Sequence, residues 1–373
     1  MRGFGAVQVC FAHEAQMDKL ATALGIDPVE LRLRNAMKTG DRLITGQLIA
    51  GTAPVKELIE TCAAAPLPAE DPDPDPMALP GGAGRTADRN RVRRGVGFAL
   101  GFKNLMYSAG FDDYSTARVR LEDGVATVTC AAAEVGQGFV TLAQQIVREV
   151  LEVDEVVLAA AETASIGSAG STSASRQTWM SGGAVERAAL AVRSRLDAGE
   201  QEPIEETYEH HHPPTSPLDE DGQGDAHVYY IFAAHRAVVD VDLDLGLVRV
   251  VEIATSQDVG RVLNPLQVVG QIEGGIAQGV GLAVMEEIVL DRGVVRNASF
   301  TDYLIPTALD MPEIQIAALI EEPEPGAPFG AKGVGETPTI SSSAAVAAAV
   351  RAATGLELPR IPIRPQDISL TPG

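Results

Sequence analysis

Aromatic residues are scarce in this chain, at 4% with a single tryptophan, and so are cysteines, of which there are three. With few large rings available, its core has to be packed mainly from small aliphatic side chains. Cys10, Cys62 and Cys130 stand far apart with no Cys-x-x-Cys pair. The chain therefore cannot build an iron–sulfur cluster or a structural zinc site unaided, and an odd, scattered set points to a reducing compartment. Positive charge is short as well: 29 basic residues against 51 acidic ones leave a net charge of −22. That balance excludes the basic stripe that nucleic-acid binding needs. No apolar run reaches the ~18 uncharged residues of a transmembrane helix. The start, Met1-Arg2-Gly3-Phe4-Gly5, has no apolar stretch of the signal-peptide type. The expected setting is cytoplasmic, with no nucleic-acid or membrane partner. Missing too are the Gly-x-x-x-x-Gly-Lys-Ser/Thr phosphate loop and the Gly-x-Ser-x-Gly elbow, which argues against nucleoside triphosphatases and serine hydrolases of those types.

What is present is an apolar fraction of 45% in 373 residues, enough for a sizeable core and two or three domains. Residues 1–65 read as helices. Val9, Phe11, Ala12, Ala15, Met17, Leu20 and Leu24 form a helical stripe closed by Gly25; Asp27-Pro28 starts a second helix, and a third covers 54–65. Residues 66–93 are a linker rich in proline, aspartate and glycine. Residues 94–200 read as a first sheet-and-helix subdomain, with strands at 95–100, 116–121, 125–131 and 156–161 and a long helix over 176–196. An acidic loop follows at 201–225. Residues 226–373 form a second such subdomain, with strands at 227–243 and 247–256 and a glycine-bearing helix at 265–285. The expected fold is α+β: N-terminal helices, then two related mixed-sheet-plus-helix subdomains with a cleft between them.

One stretch, Phe-Gly-Ala-Lys-Gly-Val-Gly-Glu-Thr at 329–337, combines three glycines with a carboxylate, Glu336, at the lip of an Ala-rich helix. Thr337 is a plausible N-cap there, with Pro338 at the first helical position. A carboxylate held by such a turn is placed to act as a general base. On this stretch alone the plainer reading is a glycine turn with a glutamate suited to a helix N-terminus. Elsewhere, four uncharged, glycine-flanked turns carry donor side chains: Arg2 to Gly5, Gly136 to Gly138, 165–178, and Gly270 to Gly275. Such turns set backbone N–H groups at helix N-termini and suit a large polar, phosphorylated cofactor that brings its own reactive centre. The triplet His210, His211 and His212 lies in an acidic loop beside Pro213-Pro214, where a solvated or orienting role is favoured over metal binding. Arg176 and Trp179 are further substrate-contact candidates, with Trp179 better read as core.

Taken together, the quoted motifs resemble those of the molybdenum hydroxylases of the xanthine dehydrogenase/aldehyde oxidase family. These are Arg2-Gly3-Phe4-Gly5-Ala6-Val7-Gln8, Leu24-Gly25-Ile26-Asp27-Pro28, Glu134 to Gly138, Asp258-Val259-Gly260 with Asn264-Pro265, Gly270-Gln271-Ile272-Glu273-Gly274 with Gln278-Gly279, and Gly333-Val334-Gly335-Glu336. They follow in family order along nearly the whole chain. The phrasing at 208–214 and 300–306 is most similar to bacterial purine (xanthine/hypoxanthine) dehydrogenase subunits. The resemblance implies hydroxylation of an electron-poor ring carbon, with water as oxygen source and Glu336 as the base. It implies a molybdenum–molybdopterin cofactor, as the plain pyranopterin or its cytosine dinucleotide, near Arg2, Gln137, Gly138, Ala174, Ser175, Thr178 and Gln271. No side chain ligates the metal directly. Phe4 would stack on the substrate, and Lys103, Asn104 and Tyr107 would line its pocket. Fe-S and FAD groups would sit on partner chains, an Fe–S subunit and a FAD subunit. The family's large subunit has a front half that supplies further pocket residues, and none of its motifs occurs here. The expectation is thus one half of a split subunit, or a truncated, non-catalytic fragment, that alone does not hold the cofactor productively. Related readings keep the fold and change the substrate to an aldehyde or another N-heterocycle. Carbon monoxide is disfavoured, because the Cys-containing active loop of that branch is not found.

Overall fold

The computed structural model describes residues 1–369 apart from 71, 73, 83–87, 108, 160, 161 and 163. Parts of the expected 66–93 linker and the end of the strand expected at 156–161 lie outside the described residues. The chain opens with helices α1 (Ala6–Leu24), α2 (Pro28–Arg34) and α3 (Val55–Ala64). Gly25, at φ 64°, closes α1, and the Asp27 carboxylate caps α2 by accepting from the N–H groups of Val29 and Glu30. Strands β1 (Val92–Leu105), β2 (Tyr114–Glu122) and β3 (Val125–Cys130) lead to α4 (Phe139–Leu151), β4 (Glu155–Ala159), α5 (Met180–Asp197) and β5 (Ile204–His211). After these come β6 (Tyr229–Asp242), β7 (Val248–Asp258), α6 (Pro265–Val284), the small hairpin β8 (Leu290–Asp291) and β9 (Val294–Val295), and β10 (Glu313–Ile320). Helices α7 (Thr337–Ile340), α8 (Ser342–Thr354) and α9 (Pro365–Ser369) finish the chain.

Two four-stranded mixed sheets share one plan. In the first, ordered β4-β3-β2-β5, the hairpin β2–β3 continues through α4 into β4, parallel to β3, and β5 closes antiparallel on β2. In the second, ordered β10-β7-β6-β1, the hairpin β6–β7 continues through α6 into β10, parallel to β7, and β1 closes antiparallel on β6. Parallel neighbours need a crossover, and a helix over one face supplies it in both. The closing strands correct the sequence reading. The strand grouped with 94–200 is β1, which belongs to the sheet of 226–373, while β5 occupies part of the supposed 201–225 loop and completes the other sheet. Pairings between distant segments leave no local trace that period-2 alternation could reveal.

The core of the second sheet depends on α8, whose residues 342–350 are all buried. This Ser/Ala/Val segment packs directly on β1. A Cβ at Gly95 would lie 2.1 Å from the Ala349 carbonyl oxygen, and one at Gly97 would lie 2.2 Å from the Ala349 nitrogen. On its other side α6 approaches through Gly279, where a Cβ would come 1.9 Å from Ser342 Oγ. Gly275, against Pro338, and Gly279 thus serve close helix packing, whereas Gly270 has open space beside it. The apolar stripe expected for α1 is a second correction, since Val9, Leu20 and Leu24 are exposed and the buried face is Val7, Cys10, Glu14 and Ala21. Glu14 claims that face by accepting from Leu100 N–H on the open edge of β1 (2.7 Å) and from Arg32 Nε (2.8 Å). Among the described residues no helix is long and apolar enough to cross a membrane.

Candidate functional site

Four turns that lead into helices, two from each sheet's half of the fold, face one another. The turns before α4 (135–138), α5 (172–178), α6 (261–264) and α7 (331–336) line a cleft of about 500 Å³, with Met1 and Arg2 at one side. Its polar lining is mainly amide, hydroxyl and guanidinium, with Lys332 and the Glu336 carboxylate, set among apolar side chains such as Phe139, Leu142 and Val268. Arg2 ties the two ends of the chain together. Its Nη2 donates to the Gln271 carbonyl (2.8 Å) and to Gln271 Oε1 (3.0 Å), and its Nε donates to the Gly335 carbonyl. Burial pushes the guanidinium pKa down, while the nearby Glu336 charge acts the other way.

Glu336 is 7% exposed. Its N–H donates to Ser175 Oγ at 3.0 Å, Gly3 N–H donates to its Oε1 at 3.3 Å, and Lys103 Nζ lies 2.8 Å from its Oε2. The last contact is an ion pair without hydrogen-bond alignment, since Oε2 accepts no hydrogen bond. Gly333 matters here for a steric reason, because a Cβ would fall 2.2 Å from the Ser175 carbonyl oxygen. Glu336 itself takes the N-cap position of α7, one residue ahead of the expected Thr337, and Pro338 stands in the first turn. Beneath the turn, Lys332 is fully buried between Asp258 (2.8 Å) and Glu324 (3.3 Å). Burial pushes the Asp258 carboxyl up to about 6 despite the facing ammonium. Lys332 also donates to the Thr52 carbonyl at 3.1 Å, so one charge anchors the glycine turn to two other segments.

Arg2, Gln137, Gly138, Ser175, Thr178, Gln271 and Glu336 all line the cleft. Ala174 contributes its backbone, its carbonyl accepting from Met106 N–H at 3.1 Å. Gln137 turns back on its own loop, with Oε1 accepting from Val135 N–H and Nε2 donating to the Ala133 carbonyl. Its turn also departs from the expected amide cradle. The Glu134 carboxylate already accepts from Gly136, Gly138 and Val140 N–H at 2.9 to 3.1 Å. Burial opposes its charge, yet these donors hold its carboxyl below the usual value. Phe4 is 80% exposed and stands outside the cleft lining, as do Lys103, Asn104 and Tyr107, Lys103 reaching it only through Glu336. Asn104 donates to the Met106 carbonyl (2.9 Å), and the Tyr107 hydroxyl joins Ser171 (2.7 Å) and Ser173 (2.8 Å), contacts that lower its pKa.

Arg176 is a fully buried brace. It pairs with Asp113 at 2.7 Å and donates to the carbonyls of Ala169, Ser171 and Tyr114, which fixes the serine-rich turn. The histidine triplet disperses. His210 is buried against Trp179 with its pKa pushed down to about 4, His211 meets Asp112 and Glu209, and His212 accepts from Asp113 N–H. Gln145, Asn264 and Gln267 are cleft residues that the sequence reading missed. Asn264 donates to Gln145 Oε1 at 3.4 Å across the cleft and caps α6 by accepting from Gln267 N–H. Gln267, Gln271 and Gln278 all face the cleft. The spacing of Gln267 from Gln271, one helical turn, on a helix whose only charged residue is Glu273 is the signal that could have found Gln267.

Two family profiles, both described as a molybdopterin cofactor-binding domain, match the chain, one at residues 1–36 and the other at 81–209 and 197–312. The xanthine dehydrogenase molybdenum-binding subunit of Escherichia coli O157:H7 is 32% identical over 98% of this chain and 52% of that protein. The aldehyde oxidoreductase of Megalodesulfovibrio gigas is 30% identical over 98% of this chain and 41% of its own. In three dimensions the aldehyde oxidoreductase from Desulfovibrio gigas matches at a TM-score of 0.85 and 29% identity, over 99% of this chain and 41% of that one. The chain therefore spans about half the length of the curated relatives it matches.

Proposed function

The chain belongs to the molybdopterin cofactor-binding domain family, and on that premise we propose that it is the part of a xanthine/hypoxanthine dehydrogenase-like hydroxylase that grips the cofactor and carries the catalytic base. The donor set fits the group. Arg2 spends its hydrogen bonds on carbonyl and amide oxygens, so its charge remains for an anionic ligand, and amide and hydroxyl side chains surround it. Arg2, Ser175, Thr178, Gln271 and the 135–138 turn would hold the pterin and its phosphate. Once bound, a molybdenum pyranopterin supplies the two-electron redox chemistry and the water-derived oxygen. Glu336 takes and holds the proton released as the substrate is hydroxylated. Gly3 N–H orients one of its oxygens and Lys103 faces the other.

One observation carries this reading: Arg2, Ser175, Gln271 and Glu336, from four distant segments, line one cleft, with Arg2 bonded to Gln271 and Ser175 to Glu336. The remaining half of a large subunit, an Fe–S subunit and a FAD subunit complete the proposed assembly, whose substrate is a small N-heterocycle. We place it in the cytoplasm, where the three buried, free thiols suit a reducing environment. A second reading keeps the base and exchanges the heterocycle for an aldehyde, and similarity to aldehyde oxidoreductases supports it. Assays with xanthine against an aldehyde separate the two. The decisive test co-expresses the chain with the gene products encoded beside it and measures molybdenum and turnover. Glu336→Gln is expected to lose about 10²–10⁴-fold in turnover with molybdenum retained. Unchanged turnover would remove Glu336 from the base role.

A further inference from the structure

Lys103 projects from the end of β1 into the buried surroundings of Glu336, and both side chains are under 10% exposed. Its other contact is the Asn104 carbonyl at 3.3 Å. Arg2 acts on the same carboxylate from the cleft side, with its own hydrogen bonds going to uncharged oxygens. With Arg2 given to the cofactor's anionic groups, Lys103 is the cation that depends on the Glu336 carboxylate for its balance. His227, also within reach of the Lys103 charge, adds no further positive charge, because burial and that ammonium both disfavour its protonation. When Glu336 gains a proton, it ceases to balance Lys103. A buried charge without a partner is costly, so the charge ledger closes best if the substrate brings an anion.

We infer that Lys103 sets substrate charge: it recognises an anionic group, a carboxylate or the oxyanion of a ring amide, and discriminates against a neutral isostere. This deepens the reading of Glu336 as base and rests on it, but its test needs no turnover. Calorimetry on the assembled, co-expressed complex compares pyridine-3-carboxylate with pyridine-3-carboxamide. The acid is expected to bind about tenfold or more tightly than the amide, the scale of one hydrogen bond to a charged group. Lys103→Met should erase that preference and Lys103→Arg should keep it. Glu336→Gln, which removes the competing carboxylate, should strengthen binding of the acid relative to the amide. Equal affinity, no binding of the acid, or a preference that survives in Lys103→Met overturns the inference. So does an acid-over-amide preference that Glu336→Gln leaves unmoved, which keeps the question decidable even where Lys103→Met fails to fold. Each of these failures would leave the base role standing, since that role is read from turnover and retained molybdenum in the assembled complex.

Discussion

His235 sits in β6 with no exposed surface. Its Nδ1–H donates to Ser341 Oγ at 2.8 Å, and the Gln257 amide donates to its Nε2 at 3.2 Å. Only the neutral ring can make both bonds, and burial pushes its pKa down to about 3. The unfolded chain binds a proton here near pH ~6.5. This depressed group therefore contributes stability that is complete above that pH and is lost as the pH falls toward 3, by at most about 1.4 kcal/mol per unit. His235→Gln should lower stability at neutral pH yet flatten its decline between pH 6.5 and 4, as followed by denaturant midpoints. Equal slopes for the two proteins would show that the imidazole does not titrate on unfolding. Glu134 shows the limits of residue-level reading. The glycines beside it promised free amides, but a carboxylate two to six residues upstream had already taken them. Lys103 was named only through the resemblance, and its pairing with Glu336 spans most of the chain and leaves no local mark.

At the scale of elements, the β1–α8 contact replaces side chains with backbone. Gly97→Ala would set a methyl group 2.2 Å from the Ala349 nitrogen and 2.4 Å from the Ala345 carbonyl oxygen. Helix backbone cannot yield as a flexible side chain can, so the expected loss is about 3 kcal/mol, at the upper end for overpacking. Chemical denaturation would measure it, and a loss under ~1 kcal/mol would mean that α8 can lift from the sheet. Most helices and strands could be located from periodicity, capping residues and glycine turns. The face of α1 could not, because a buried Glu14–Arg32 pair replaced the expected apolar stripe. The sheet to which β1 belongs was equally hidden, since its partner lies beyond the whole of the other sheet.

For the whole molecule, a net charge of −22 means long-range self-repulsion, which added salt screens. Many of the ion pairs are exposed and individually weak, while those at Lys332, Arg176 and Arg236 are buried and poorly screened. The melting temperature should therefore rise between very low ionic strength and about 0.15 M salt. A fall would mean that surface pairing outweighs repulsion. The cleft was legible as a set of donor-rich turns, and its convergence follows from two sheets built to one plan.

That plan is followed in a different order by each sheet, and protein synthesis must contend with the difference. The sheet containing β2 to β5 can close as soon as residue 211 has emerged, because all its strands are then available. β1 emerges earlier, yet has nothing to pair with until β6 follows. During that interval a glycine-bearing strand waits with both edges open, protected on one of them only by what Glu14 can offer. The nascent chain is therefore most exposed to wrong partners after one lobe has set and before the other has reclaimed its first strand.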